Sequence, residues 1–329
     1  MHAALESRTF GMGSRRSRKN RRFREKAQAP SAESPPVSSL PQQETDAEKK
    51  SGTIWTTLLL IVAAWLFAFL LRQHWVDLAR ANPAFITSEG KLLPTTNDSY
   101  YFAATLENWD TGNLTNVVIM PDIYQHGMIT MLPALLMKLF GFTADEIMIH
   151  MPIYIGGLLA VPLVLIGRLY GSLAWGFAAA LLAVGAHSYF NRTIAGYFDT
   201  DMFSVLVPMT ALYFMLAAYR RESLKAALGA ALCLFLYPLF YQSGIPVAYA
   251  MGVAFVGWQF LADTGKESKK ILSSFSCKPL LDRWQNNPFT WQSSAIVLVS
   301  LFFLESSLGH AVANHPFLWI LKVGFIIGL

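Results

Sequence analysis

Asp199 and Asp201 stand one residue apart in "YFDTD" (197–201), between two apolar runs that are each long enough to cross a bilayer. Two chemistries fit that pattern. Asp199, Thr200 and Asp201 are good N-cap or first-turn residues for a helix starting near Met202, because a short oxygen acceptor there meets unpaired N–H groups. An Asp-x-Asp pair also offers hard oxygen ligands to Mg²⁺ or Mn²⁺, cations that bind substrate phosphates as well; here these would belong to a phosphorylated sugar donor. Arg192 precedes the pair in "NRTIAGYFDTD" (191–201). It can relieve repulsion between the carboxylates or grip a phosphate bidentately. A third acid, Asp98, lies in "TTNDSYYFAATLENW" (95–109), where Thr95 to Ser99 read as a turn entering a helix. It too is either a cap or a ligand. Glu107 and Asp110 read as a solvated helix face.

The elements that must position these acids are membrane helices. Of 329 residues, 53% are hydrophobic and only 14% charged, whereas soluble domains carry roughly 25% charged residues. "TIWTTLLLIVAAWLFAFLL" (53–71) contains no charge and spans about 28 Å as a helix. Further spans are predicted at 147–167, 172–190, 202–219, 224–242, 245–262, 291–304 and 316–329. "MITMLPALLMKLF" (128–140) is apolar but short, and reads as interfacial or re-entrant. Pro152, Pro162, Pro208 and Pro238 predict kinks, which packed membrane helices tolerate. Residues 1–50 read as a disordered basic tail and 51–329 as a multi-span catalytic domain, with an external loop at 72–145 and a cytoplasmic loop at 263–290. Two cysteines and seven histidines show no disulfide framework and no metal-ligand spacing.

Charge sets the predicted orientation. "RRSRKNRRFREK" (15–26) concentrates eight basic residues. Beside a membrane span such an arm marks the cytoplasmic side and touches anionic lipid rather than nucleic acid. The arm and the loops at Arg168, at Arg220, Arg221 and Lys225, and at 263–290 together hold twenty Lys/Arg. The opposite side holds Arg72, Arg80, Lys91, Lys138 and Arg192 only. Asp98, Asp199 and Asp201 are therefore expected to share one outer face.

"TTNDSYYFA", "SYFNRTIAGYFDTDM" and "LFYQSG" (239–244), in that order, resemble the bacterial catalytic subunit of oligosaccharyltransferase, from about Ile54 to Ala262. The dozen residues "NRTIAGYFDTDM" are the specific part. The resemblance implies an all-α, polytopic transmembrane bundle of the C type of glycosyltransferases, in the bacterial inner membrane, with its active site on the periplasmic face. It implies transfer of a preassembled glycan from a polyprenyl diphosphate carrier to the side-chain amide of asparagine in an Asn-x-Ser/Thr acceptor. By the same resemblance Asp98 touches both metal and acceptor amide. Asp199 and Asp201 coordinate or orient Mg²⁺ or Mn²⁺, and Arg192 matches an arginine important for activity. Leu239, Phe240 and Tyr241 fall where the family has an aromatic cluster against the lipid-linked donor; Leu239 departs from that pattern.

Residues 271–289 are more polar than the family's span there, and the sequence stops at Leu329 inside an apolar run. The family's later outer-loop glutamate and its Trp-Trp-Asp element are absent, so the chain is expected to be the N-terminal portion of a longer protein. Two rival readings place acids on a multi-span chain. One is a protein O-mannosyltransferase of the same C type. The other is a transporter, which would carry ionisable residues at mid-membrane.

Overall fold

A computed structural model describes residues 54–111, 126–262 and 287–307 of the chain. All lie in one compact unit, Pro41–Leu329. In chain order the helices are α1 (Ile54–Arg80), α2 (Asn97–Thr111), α3 (Met128–Phe140), α4 (Ala144–Gly157), α5 (Ala160–Leu169), α6 (Leu173–Gly185), α7 (His187–Asn191), α8 (Asp201–Arg221), α9 (Leu224–Phe240), α10 (Ile245–Ala262) and α11 (Pro288–Ser307). Among the described residues the only strand-like pairing is one bridge, Ile86 with Leu92. The chain is an all-α membrane helical bundle. Residues 54–80, 144–169 and 201–221 are long and apolar enough to cross a bilayer by length and composition. The predicted basic tail, the span at 316–329 and nearly all of the 263–290 loop lie outside the described residues.

The helices follow the apolar runs, and their breaks have local causes. The stretch expected as one span at 147–167 is two helices, α4 and α5. Pro162 has no N–H for the carbonyl of Leu158, and Val161 takes that carbonyl instead at 3.0 Å, tightening the chain into a break. The stretch expected at 172–190 also breaks, because Ala186 adopts extended backbone (φ −58°, ψ 126°) between α6 and α7. Pro208, by contrast, leaves α8 unbroken. Its missing N–H would orphan the carbonyl of Ser204, and the Tyr237 hydroxyl of α9 donates to that carbonyl at 2.8 Å.

Helix α1 runs nine residues beyond the predicted span end at residue 71 and reaches Arg80. Its buried face is Ala64, Ala68, Arg72, Val76 and Ala79, a stripe at three- and four-residue spacing that keeps one side of the helix inward. The reading of Arg72 as an outer-surface base is therefore corrected: the side chain is fully buried, because the helix continues through it along the packed face. Helices α5 and α6 cross at Gly167 and Gly176, where a Cβ on Gly167 would meet the Gly176 Cα at 2.4 Å; small residues let membrane helices approach closely.

Among the described residues the core has three clusters. One joins α1, α5, α6 and α7, and a second joins α8, α9, α10 and α11. The third gathers Val76, Leu106, Ile129, Met148, Ile149, Phe198, Met202 and Phe203. This last cluster lies directly beneath the acidic residues.

Candidate active site

The loop between α7 and α8 carries Asp199 and Asp201, and backbone pairing fixes its path. The N–H of Gly196 donates to the Ile149 carbonyl of α4 at 3.1 Å, and the Gly196 carbonyl accepts from Thr95 N–H at 2.9 Å. Gly196 has φ +76°, and a Cβ there would press on Leu93 O and Pro94 Cα, each at 3.2 Å. Both the conformation and the contact require glycine.

Asp98 enters the site through its neighbour. Ser99, fully buried, donates its hydroxyl to Gly196 O at 2.8 Å and accepts from Phe198 N–H at 2.8 Å. The start of α2 is thereby pinned to the residue before Asp199. Thr96 accepts from Ser99 N–H at 3.2 Å, so Thr96 takes the capping position and the exposed Asp98 carboxylate is left for other work. The segments that carry the three acids are thus joined, although about a hundred residues separate the first from the others.

The helix-start alternative for the acid pair is met in part: Asp201 stands in the first turn of α8, but neither acid caps it with a side-chain bond. Thr200 is the N-cap of α8 and makes no side-chain cap bond; Asp201 opens the helix. Asp199 Oδ1 accepts only from the N–H and hydroxyl of the adjacent Thr200. Asp201 turns its carboxylate back to Arg192, and Tyr197 hydroxyl donates to it at 3.4 Å, both contacts falling on Oδ2. Asp201 is largely buried while Arg192 is 58% exposed.

The electrostatics of the loop follow from this arrangement. Burial pushes the Asp199 carboxyl above its ordinary value, and the negative charges of Asp201 and Asp98 push it the same way; the Thr200 hydrogen bonds oppose them. Hydrogen bonding and attraction from Asp201 hold the Arg192 guanidinium above its ordinary value. Arg192 bonds Asp201 and acts on Asp199 only through charge. Among the described residues no three His, Cys, Asp or Glu side chains form a ready ligand cluster. The side chains of Asp98, Asp199 and Asp201 offer oxygen donors, the ligand type that Mg²⁺ or Mn²⁺ takes.

The end of α9 closes one side. Phe240 packs edge-on against Phe203 of α8 with ring centroids 5.1 Å apart. Tyr241 stacks on Tyr237 at 6.0 Å, and Leu239 is 38% exposed. The Leu239 carbonyl lies so close to Gly127 that a Cβ there would fall 2.2 Å from it, which seats the start of α3 against the same corner. His126 adds a ring beside Tyr101 at 5.0 Å and Phe102 at 5.6 Å.

A family model described as oligosaccharyl transferase STT3, N-terminal, matches residues 66–315. The chain belongs to the STT3 oligosaccharyl transferase family. The matched stretch includes the candidate residues from Asp98 to Tyr241. Two curated proteins named undecaprenyl-diphosphooligosaccharide–protein glycotransferase are also similar. They come from Campylobacter jejuni (strain RM1221) and Campylobacter jejuni subsp. jejuni serotype O:2 (strain ATCC 700819 / NCTC 11168). They are 30% and 31% identical over 258 residues, 75% of this chain and 34% of each relative. The chain spans about a third of the length of the curated relatives it matches.

Ser99, Gly196, Tyr237 and Arg72 were not among the expected site residues. Ser99 and Gly196 lie inside the quoted motifs, and the hydroxyl and glycine between acids were the available signal. Tyr237 could have been found from Pro208, which frees a carbonyl one turn earlier.

Proposed function

We propose that the protein catalyses transfer of a glycan from a polyprenyl diphosphate carrier to the side-chain amide of asparagine in an Asn-x-Ser/Thr acceptor. The observation that carries this reading is the clamp of Ser99 on Gly196 and Phe198, which joins the segment of Asp98 to the loop of Asp199 and Asp201. The names of the Campylobacter relatives support the donor and the acceptor class.

An amide nitrogen is a poor nucleophile because its lone pair is delocalised into the carbonyl. Asp98, exposed at the start of α2, accepts an amide N–H and turns the nitrogen toward the sugar carbon. The new carbon–nitrogen bond forms as the bond from that carbon to the diphosphate oxygen breaks, attack opposite the leaving group inverts the sugar carbon, and the proton shed by the nitrogen passes to Asp98 as the diphosphate leaves as the anion. Asp98, Asp199 and the second oxygen of Asp201 would hold Mg²⁺ or Mn²⁺. When bound, the cation supplies Lewis-acid neutralisation of the departing diphosphate. Arg192 orients the largely buried Asp201 carboxylate through their ion pair, and is exposed enough to meet a phosphate as well. Leu239, Phe240 and Tyr241 provide apolar surface for the start of the polyprenyl chain. The excess of basic residues in the arm and its companion loops supports a cytoplasmic N-terminus, an inner-membrane location and a periplasmic site.

The test is transfer in reconstituted membranes by the protein as encoded. A polyprenyl-diphosphate glycan and a peptide with one Asn-x-Thr site should give a glycopeptide, and the same peptide with Gln for Asn should not. Transfer to serine or threonine from a polyprenyl monophosphate sugar would favour the O-mannosyl reading instead. Movement of solute without any transfer would favour the transporter.

A further inference from the structure

Arg72 is the largest fully buried side chain in the described residues, and a cation there needs an explanation. It lies in α1, far in sequence from the acids. Its guanidinium meets carbonyls of three segments and no carboxylate. Nη1 donates to Ala68 O of its own helix at 3.2 Å, and Nη2 donates to Val184 O of α6 at 3.2 Å. Nε donates to Thr193 O at 3.0 Å and to Thr193 Oγ1 at 3.1 Å, and Nη2 also reaches that hydroxyl oxygen. The group stacks over Phe190 at 5.4 Å and Tyr189 at 5.9 Å.

Those acceptors explain how the charge is tolerated. The break at Ala186 ends α6, and α7 ends at Asn191. The end of α6 presents carbonyls without intrahelical partners, Val184 O among them, and Thr193 O lies just beyond the end of α7. Arg72 meets both with a fork of donors that lysine cannot reproduce. Gly156 of α4 makes room, since a Cβ there would lie 2.8 Å from Arg72 Nε and 2.8 Å from Thr193 Cβ. Thr193 completes the joint by donating its hydroxyl to Tyr189 O at 2.7 Å.

We propose that Arg72 is a positioning residue for the acidic loop: through Thr193 it sets the start of the 191–201 segment, and hence the aim of Arg192 at Asp201. The metal arm of the test rests on the proposed cation site; the loop arm does not.

Hydrogen exchange of the purified protein reads the loop directly. The amides of Thr193, Gly196, Tyr197 and Phe198 are bonded to Phe190 O, Ile149 O, Ile194 O and Ser99 Oγ. In Arg72→Lys they should exchange about tenfold faster while the middle of α8 keeps its protection. Mn²⁺ affinity, read by electron paramagnetic resonance, should fall by about tenfold, and turnover should drop without a change in KM for the donor. Wild-type protection at 193–198 in folded Arg72→Lys, or a uniform loss across the whole bundle, would overturn the proposal. If that variant does not fold, Thr193→Val removes only the hydroxyl; it should loosen the same four amides to a smaller degree, and unchanged exchange there overturns the proposal. Failure of the unmodified protein to bind Mn²⁺ would overturn the cation site alone, with exchange still deciding Arg72.

Discussion

The Ser99 hydroxyl donates to the Gly196 carbonyl at 2.8 Å across 97 residues of sequence. The same oxygen accepts from Phe198 N–H at 2.8 Å. One buried hydroxyl thus joins the segment that carries Asp98 to the segment that carries Asp199.

Replacing Ser99 by alanine leaves two buried backbone groups without that partner. The expected loss of stability is about 1–3 kcal/mol. Activity should fall by more than the stability change explains, because a displacement of about 1 Å at reacting groups costs about a hundredfold. Thermal unfolding and turnover of the folded fraction, measured together, check this. Equal turnover in Ser99→Ala would remove the clamp from the account.

Arg192→Gln separates an ion pair from a catalytic arrangement. The variant leaves the largely buried Asp201 without its partner, which costs about 1–3 kcal/mol, so it should still fold. Turnover should nevertheless drop by roughly tenfold or more, because Asp201 loses the group that orients it. A variant losing stability and activity in proportion would make Arg192 a structural residue only.

Orientation is tested with single cysteines on a background lacking Cys233 and Cys277. Ser99 and Thr193 are unsuitable positions, since both are fully buried and hydrogen bonded. Asn191 and Glu89 are exposed. Cysteine at either should react with an impermeant reagent on intact spheroplasts. Protection of both until the membrane is opened would reverse the predicted orientation.

Much of the helical layout was legible in the sequence. Charge-free runs bounded by basic residues marked α1, α8, α9 and α10 because burial in lipid admits little else. The breaks were less legible. Pro152, Pro208 and Pro238 lie inside unbroken helices, whereas Pro162 stands just after the break between α4 and α5. At Pro208 the Tyr237 hydroxyl reaches the carbonyl that the proline frees. Arg72 was misplaced for a related reason. Counting charges assigned it to the surface, although Ala64, Ala68, Arg72 and Val76 already stood at four-residue spacing. The motif acids were readable one by one. What joins them is a hydroxyl and two backbone groups, and hydrogen bonds across a hundred residues leave no periodic trace.

The same buried hydroxyls settle a smaller point. Of the Asn-x-Ser/Thr triplets in the chain, those at Asn97 and Asn191 place Ser99 and Thr193 in the interior. Neither triplet can serve as an acceptor while the protein is folded. Partial unfolding should be required before either asparagine is modified, and mass spectrometry of the native protein should find both unmodified.

The central claim is that Asp199 serves the departing diphosphate rather than the helix. Asp199→Asn tests it most directly, because asparagine keeps the shape and caps a helix about as well as aspartate. Transfer from a polyprenyl-diphosphate glycan to an Asn-x-Thr peptide should be measured against Mn²⁺ concentration, with chelator as the zero. The parent should lose transfer in chelator and regain it with Mn²⁺. Asp199→Asn should insert and fold normally, yet show turnover lower by roughly tenfold or more at limiting metal. Parental turnover in Asp199→Asn under that condition, or undiminished transfer in chelator, would contradict the account.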